Sequence, residues 1–414
     1  TTAKTAGFTA VSGNGYFVNT TSGAITMTLP ASPSAGDIVS FKDYANTFDT
    51  NNLTIARNGS PIAGETADPI ISVEGQSGTL IYVDGTKGWM IVNASTDADL
   101  PAPRYVAATG GTVTCCGDYK IHTFTGPGTF TVTCAGNPSG STTVDYLVAA
   151  GGGGGGGGYQ SGGGGAGGLR ASDGTASGCY SAGPSPLVGC VSALPVTAQG
   201  YPITVGGGGP GGAAASPACS GNRGTNGNNS IFSTITSAGG GSGGAFTCGI
   251  SSPVQVGGPG GSGGGSGRVS SGTYPGGTGN TPPVSPPQGQ NGGRTTTPYT
   301  APYNGGGGGG AIGGGGPGEG ACFGVGGVGA ASSITGSAIN FSGGGGSGGG
   351  GPTSTGSPCG TGGDGASAPG NQVAQAGTTN RGGGGGGGQV AGGIPTSAGG
   401  NGGSGIVIIR YKFQ

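Results

Sequence analysis

The residues of this chain that could do chemistry are few and poorly placed for it. Gly240-Gly241-Ser242-Gly243-Gly244 has the G-x-S-x-G spacing of an esterase nucleophile elbow, and that chemistry needs a histidine beside the serine. The only histidine is His122. It stands in "YKIHTFT", which reads as a strand, and a partly exposed strand residue is expected there. G-x-G-x-x-G matches abound, but none lies between a strand and a helix, where the motif holds a dinucleotide. Asp97 and Asp99 could touch a cation but lack calcium-loop spacing.

Nine cysteines, at 115, 116, 134, 179, 190, 219, 248, 322 and 359, contain no C-x-x-C pair, so no zinc site is expected. Cys179 and Cys190, Cys219 and Cys248, and Cys322 and Cys359 each bracket one insert. Disulfides there would pin loops with little core, as in extracellular proteins. The alternative is free buried thiols, and an odd count leaves at least one cysteine unpaired or intermolecular. The expectation is a non-enzymatic protein without catalytic residues, cofactor or metal.

Composition points the same way. Of 414 residues, 113 are glycine, 28 are proline and only 7% are charged, against about 25% in ordinary domains. The formal net charge of −1 offers no field for nucleic acid or an anionic membrane. No apolar run approaches the ~18 residues of a bilayer span. Disordered chains usually carry many charges, so this glycine is expected to be ordered.

The chain divides into zones. Residues 1–98 hold 11 glycines and short apolar runs between turn signals, such as "GYFVNT", "AITMTLP", "TLIYVDG" and "GWMIVNA". This is an N-terminal β domain, with Trp89 in its core. Residues 99–104 form a Pro-marked linker. Residues 105–150 supply three strands, "YKIHTFT", "TFTVTC" and "TTVDYLVAA". Residues 151–405 hold 95 glycines. The closing "SGIVIIRYKFQ" contains a run, Ile406 to Ile409, that wants burial on both faces of a sheet. Its expected partner is Val144–Ala149, which closes the zone into a domain.

Eight successive glycines, Gly151 to Gly158, carry no side chain to bury. One arrangement offsets their ordering entropy: polyglycine II, a threefold extended helix whose amides bond to surrounding helices. Nine segments qualify: 151–158, 162–168, 206–212, 239–244, 257–267, 305–318, 343–351, 382–388 and 399–405. Gly151, Gly154, Gly158, Gly305, Gly310, Gly382 and Gly388, with Ile406 and Ile408, are the structural positions. Strict collagen is excluded, because glycine does not recur at every third position throughout. The fold expected is all-β plus a polyglycine II bundle, and the longest insert, 267–304, reads as a functional loop.

The frame "FTGPGTFTV…VDYLVAAGGGGGG", then glycine runs, then "GGSGIVIIRYK", resembles the glycine-rich distal domains of bacteriophage tail fibres and adhesins over residues 105–414. The N-terminal "TTSGAITMTLPASPSAGDIVSFKDYA…GTLIYVDGTKGWMIVN" is similar to a β domain of fibre-like proteins of marine and cyanobacterial phages. The resemblance implies a rigid glycine-rich sandwich whose tip loops contact a host cell-surface receptor. It also implies a virion location, other tail or fibre proteins as partners, and a homotrimer. The trimer is assigned to residues 1–98, whose apolar strands exceed what one small sheet can cover. Loops on a rigid scaffold gather binding residues, which makes Tyr180, Arg268, Tyr274, Arg294, Tyr299 and Tyr303 the receptor-contact candidates. Alternatives are a non-viral extracellular filament or matrix protein, and an ice-binding protein.

Overall fold

The computed structural model describes all residues except 1, 96–103, 138–139, 179, 185–186, 188–190, 215–220, 248–252, 269–271, 297–302, 320–323, 351–354, 368–371 and 390–397. It forms two units, Thr1–Ala102 and Pro103–Gln414, dividing within the Pro-marked junction. Among the described residues nearly all regular structure is β, and no sheet closes into a barrel.

The first unit contains β1 (Phe8–Thr9), β2 (Asn14–Val18), β3 (Ile25–Thr28), β4 (Ile38–Asp43), β5 (Leu53–Ala56), β6 (Ile70–Ile71), β7 (Ser77–Asp84) and β8 (Gly88–Ser95). One sheet runs β1-β3-β5-β6 and the other β2-β4-β7-β8. Alternation places Val18, Val39, Phe41, Leu80 and Trp89 from one sheet against Ile25, Met27, Leu53 and Ile55 from the other. The apolar strands thus cover each other. Large apolar side chains nonetheless stay exposed on this unit, Phe17, Tyr44, Ile70 and Val92 among them.

The second unit opens with β9 (Val106–Thr109), β10 (Thr112–Cys116), β11 (Tyr119–Phe124), β12 (Gly128–Ala135) and β13 (Thr143–Ala149). β14 (Leu169–Ala171), β15 (Leu194–Pro195), β16 (Gly200–Thr204), β17 (Ser230–Phe232) and β18 (Ile235–Ser237) follow. Later come the short β19 (Thr273–Tyr274), β20 (Thr295–Thr296), β21 (Ala330–Ser332) and β22 (Ile339–Phe341), and finally β23 (Ile406–Lys412). β23 lies between β11 and β13, in the order β10-β11-β23-β13-β14. It pairs antiparallel with β13, with Ala149 opposite Ile406 and Leu147 opposite Ile408, so the anticipated closure forms. Both faces of β23 are buried. Val407, Ile409 and Tyr411 join Phe130, Tyr201 and Phe232 of the sheet β18-β17-β16-β12-β9. Ile406 and Ile408 pack with Leu147, Leu169 and Phe341 on the other side.

Beyond the sheets the glycine segments bond to one another in rotation. Gly162, Gly165 and Gly168 donate to Gly244, Gly241 and Ala238; Gly163 and Ala166 donate to Gly306 and Gly309; Gly164 and Gly167 donate to Gly385 and Gly382. The carbonyls accept with the same period. Gly162, Gly165 and Gly168 receive from Gly156, Gly153 and Ala150, Gly163 and Ala166 from Gly265 and Ser262, and Gly164 from Gly345. These bonds measure 2.8 to 3.1 Å. Six segments therefore surround one, and its neighbours repeat every third residue. The spacing leaves no room for a side chain at most of these positions, and Ala166 is the one non-glycine within Gly162–Gly168. A Cβ added to Gly164 would lie 2.7 Å from the carbonyl carbon of Gly153 and closer still to its oxygen.

At the surface one residue in three faces water and can differ from glycine. "GGPGGA" exposes Pro210 and Ala213, "AGGNGG" exposes Ala398 and Asn401, and "NGGR" exposes Asn291 and Arg294. Every-third-residue periodicity does exist, then, in the outer segments and with two glycines per repeat. The insert 267–304 is likewise not a loop throughout. Gly277 donates to Gly264, Gly263 to Gln290, and Gly293 to Gly307, so parts of it are lattice members.

Candidate functional site

The first glycine run leaves β13 at Ala149 and ends at Tyr159; the second returns from Ser161 to β14. Tyr159 and Gln160 therefore turn at the end of the bundle remote from the sheets. The turn needs left-handed backbone, and Gly158 and Gln160 have φ of 96° and 45°. Gln160 is buried and ties this end together. Its N–H donates to Gln389 Oε1 at 2.9 Å, and its carbonyl accepts from Arg268 N–H at 3.0 Å. Its Oε1 accepts from the Arg268 guanidinium at 2.9 Å.

That guanidinium is surrounded by rings. It lies 4.1 Å from the centroid of Tyr303, 5.1 Å from Phe246 and 5.4 Å from Tyr159. Such contacts contribute about 0.5–2 kcal/mol each, more as water is excluded. Tyr159 and Phe246 also meet, with centroids 5.8 Å apart. Four distant chain positions thus form one cationic, aromatic end, with Tyr303 and Arg268 at intermediate exposure.

The remaining receptor-contact candidates divide. Tyr274, on β19, stands opposite Thr295 of β20, and Arg294 immediately precedes β20. Arg294 donates to Glu319 at 2.7 Å, in a pair whose side chains are 61% and 32% exposed. At that exposure the pair contributes under about 1 kcal/mol. Tyr299 lies outside the described residues. Tyr180 lies elsewhere and is partly buried. It packs on the core that holds Ile408 and Phe341, and Arg410 lies between it and Tyr119, at 5.1 and 4.6 Å from the two rings. Burial pushes the Tyr180 hydroxyl well above its ordinary pKa. Tyr180 is a packing residue at the sheet end, remote in the fold from Arg268.

The cysteine expectations are only partly addressed. Cys179, Cys190, Cys219, Cys248 and Cys322 lie outside the described residues. Cys359 is a free thiol beside the Ser357 hydroxyl at 2.9 Å, which corrects the expected Cys322–Cys359 bridge. Cys115, Cys116 and Cys134 are free as well, and Cys115 is exposed.

His122 is also corrected, being fully buried. Its Nδ1 lies 2.7 Å from the Gly110 carbonyl and its Nε2 3.0 Å from the Tyr411 hydroxyl. The carbonyl can only accept, so Nδ1 carries the proton and Nε2 accepts from Tyr411. Desolvation holds the imidazole pKa below its usual value. Ser242, the formal elbow serine, is buried in the lattice, where its N–H donates to Asn226 Oδ1 at 2.8 Å. His122 and Ser242 therefore belong to separate networks.

Six of the glycines named as structural positions donate to backbone carbonyls, while Gly158 lies in the turn at the bundle end. Gly151 and Gly154 donate to Asn228 and Thr225, Gly305 and Gly310 to Gly348 and Gly313, and Gly382 and Gly388 to Ser404 and Gly156. Sequence reasoning missed Tyr159 and Phe246, each of which directly follows a glycine or Gly-Ala stretch. An aromatic residue at the end of a glycine run was the available signal.

No curated protein matches the chain by sequence. A family profile described as a glycine-rich domain matches residues 124–412, from the end of β11 through β23. The match covers most of the chain and the whole hydrogen-bonded lattice, and the chain belongs to this glycine-rich domain family.

Proposed function

We propose that the glycine segments are polyglycine II helices packed as a rigid sandwich-like bundle, and that the chain is a non-enzymatic adhesin. It is the distal part of a phage tail fibre, and its remote end meets a host cell-surface receptor. The threefold rotation of hydrogen bonds around Gly162–Gly168 supports the helix type. The single observation that carries the binding role is the Arg268 cluster with Tyr159, Phe246 and Tyr303. It concentrates aromatic and cationic contact area on a stiff support, and aromatics give such area at low entropic cost.

Trimerisation through residues 1–98 is supported by the apolar side chains that the first unit leaves exposed. Phe17 and Tyr44 are 48% and 60% exposed with ring centroids 6.5 Å apart, and Ile70 and Val92 are 62% and 56% exposed. An extracellular, virion-bound location follows from the same reading. Immunogold labelling of virions, with an antibody raised against the chain, tests it. Label at fibre tips is expected. Label on cellular filaments with bare virions would replace this reading with a matrix protein. The two-glycine repeats of the outer segments favour ice binding as a second reading, which thermal hysteresis would reveal.

A further inference from the structure

The lattice stops at the surface, and side chains take over where neighbours are missing. Asn401 Oδ1 accepts from Gly211 N–H at 2.9 Å, Asn229 Oδ1 from Gly239 N–H at 2.9 Å, and Asn226 Oδ1 from Ser242 N–H at 2.8 Å. Asn291 Oδ1 accepts from Gly279 N–H at 2.8 Å. In each case an asparagine stands in for the carbonyl of an absent segment.

Some surface positions lack this substitute, Gly208, three residues before Gly211, among them; one such position borders a groove. The segments around Gly276–Gly279 and Asn291–Arg294 run antiparallel, with Gly292 donating to Gly277. Three residues before Gly279 comes Gly276, and three after Asn291 comes Arg294. Arginine has donors and no acceptor, so it cannot do for Gly276 what Asn291 does for Gly279. Among the described residues, Gly276 N–H, Asn291 N–H and the Gly292 carbonyl have no hydrogen-bond partner. They border a groove of about 460 Å³ lined by Thr273, Pro275, Gly276, Asn291–Arg294, Gly315 and Pro317. That is roughly fifteen times the volume a liquid water occupies, far more than one bridging water needs. The floor is glycine, so nothing holds an approaching backbone away.

We propose that this groove is a vacant lattice position that captures an extended glycine-rich strand from a partner, with glycine at two of every three residues. The strand continues the interior packing outward, as an added strand extends a sheet edge. The residues that carry both open donors and the open acceptor line it. The three-residue step between Gly276 and Gly279 matches the repeat of such a strand. The outer segments of this chain, "AGGNGGSG" among them, have the required chemistry, so a second copy can supply it.

The test uses the full chain and a fluorescein-labelled peptide of four Gly-Gly-Asn repeats, read by fluorescence anisotropy. Saturable binding is expected. Gly314 directly precedes the groove-lining Gly315, and an added Cβ there meets nothing closer than the Asn291 carbonyl at 3.5 Å. Gly314→Trp should weaken binding at least tenfold with an unchanged melting temperature. Arg294→Asn, which supplies the missing acceptor to Gly276, should weaken it several-fold. Gly207→Trp, outside the groove, should leave it unchanged. Absence of binding at millimolar peptide would overturn the proposal. So would equal loss in Gly207→Trp, or saturable binding of maltoheptaose in place of the peptide.

Discussion

Gly154→Ala is the most incisive single change, because one methyl group tests the whole packing argument. Gly154 donates to Thr225 and accepts from Gly243, both at 2.9 Å. A Cβ here would sit 2.7 Å from the amide nitrogen of Gly211 and closer still to the carbonyl of Pro210. These are backbone atoms in a bonded lattice, so relief requires the segments to part. Parting loses at least the two bonds of Gly154, at about 0.5–1.5 kcal/mol each. Overpacking adds roughly 1–3 kcal/mol. Against this, alanine restricts the unfolded chain and returns about 0.4–1 kcal/mol. The net expectation is a destabilisation of roughly 2–5 kcal/mol, and Gly154→Val should be worse and lower solubility. Gly207→Ala is the matched control. It lies on an outer segment, and its added Cβ meets nothing nearer than the Asn228 side-chain nitrogen at 3.7 Å. It should be neutral or stabilising by about 0.4–1 kcal/mol. Denaturant or thermal unfolding of the full chain measures both. Equal stability of the two variants would refute the reasoning.

Other outcomes follow from the same structure. Replacing 269–303 with a short Gly-Ser linker should strongly destabilise the second unit, because lattice segments go with it; unchanged melting would contradict this. The depressed pKa of buried His122 means that the unfolded chain takes up its proton, near pH 6.5, before the folded chain does. Its stabilising contribution is complete above that pH and lost as pH falls, by up to about 1.4 kcal/mol per pH unit, and His122→Asn should flatten the acid limb of the stability profile. Burial raises Tyr411 to about 12, so its contribution is present below pH 10 and lost as pH rises toward 12, a loss that Tyr411→Phe should remove. Exposed Cys115 should react with a thiol reagent in the native state faster than Cys359; the reverse order would contradict the structure.

Much of the frame was legible in the residues. The unbroken β-branched run at Ile406–Ile409 demanded burial on two faces, and "VDYLVAA", at the other edge of the glycine zone, was its obvious partner. Uninterrupted glycine runs marked interior segments, because six surrounding neighbours tolerate no Cβ. The outer segments were legible in part: 206–212 and 399–405 read as glycine segments, but 276–279 and 291–294 did not, because one position in three faces water and accepts residues such as Thr, Asn or Arg, which disguises them as inserts. For that reason 267–304 read as a loop. The remote end was half legible. Arg268 and Tyr303 were chosen for their types, but their meeting with Tyr159 and Phe246 depends on how separate runs align, which no local pattern encodes. The packing of Tyr180 on Arg410 is hidden for the same reason, since Arg410 lies at the far end of the chain. His122 was misjudged because β11 is covered on both faces by neighbours distant in sequence.

The central claim is that bare glycine runs form an ordered, hydrogen-bonded scaffold rather than a tether. Amide hydrogen exchange on chain labelled with ¹⁵N-glycine tests it most directly. The amides of Gly151–Gly157 and Gly162–Gly165 should exchange many orders of magnitude more slowly than unstructured peptide, since each donates to a neighbouring carbonyl. Exchange of these amides at random-coil rates in the folded protein would contradict the account.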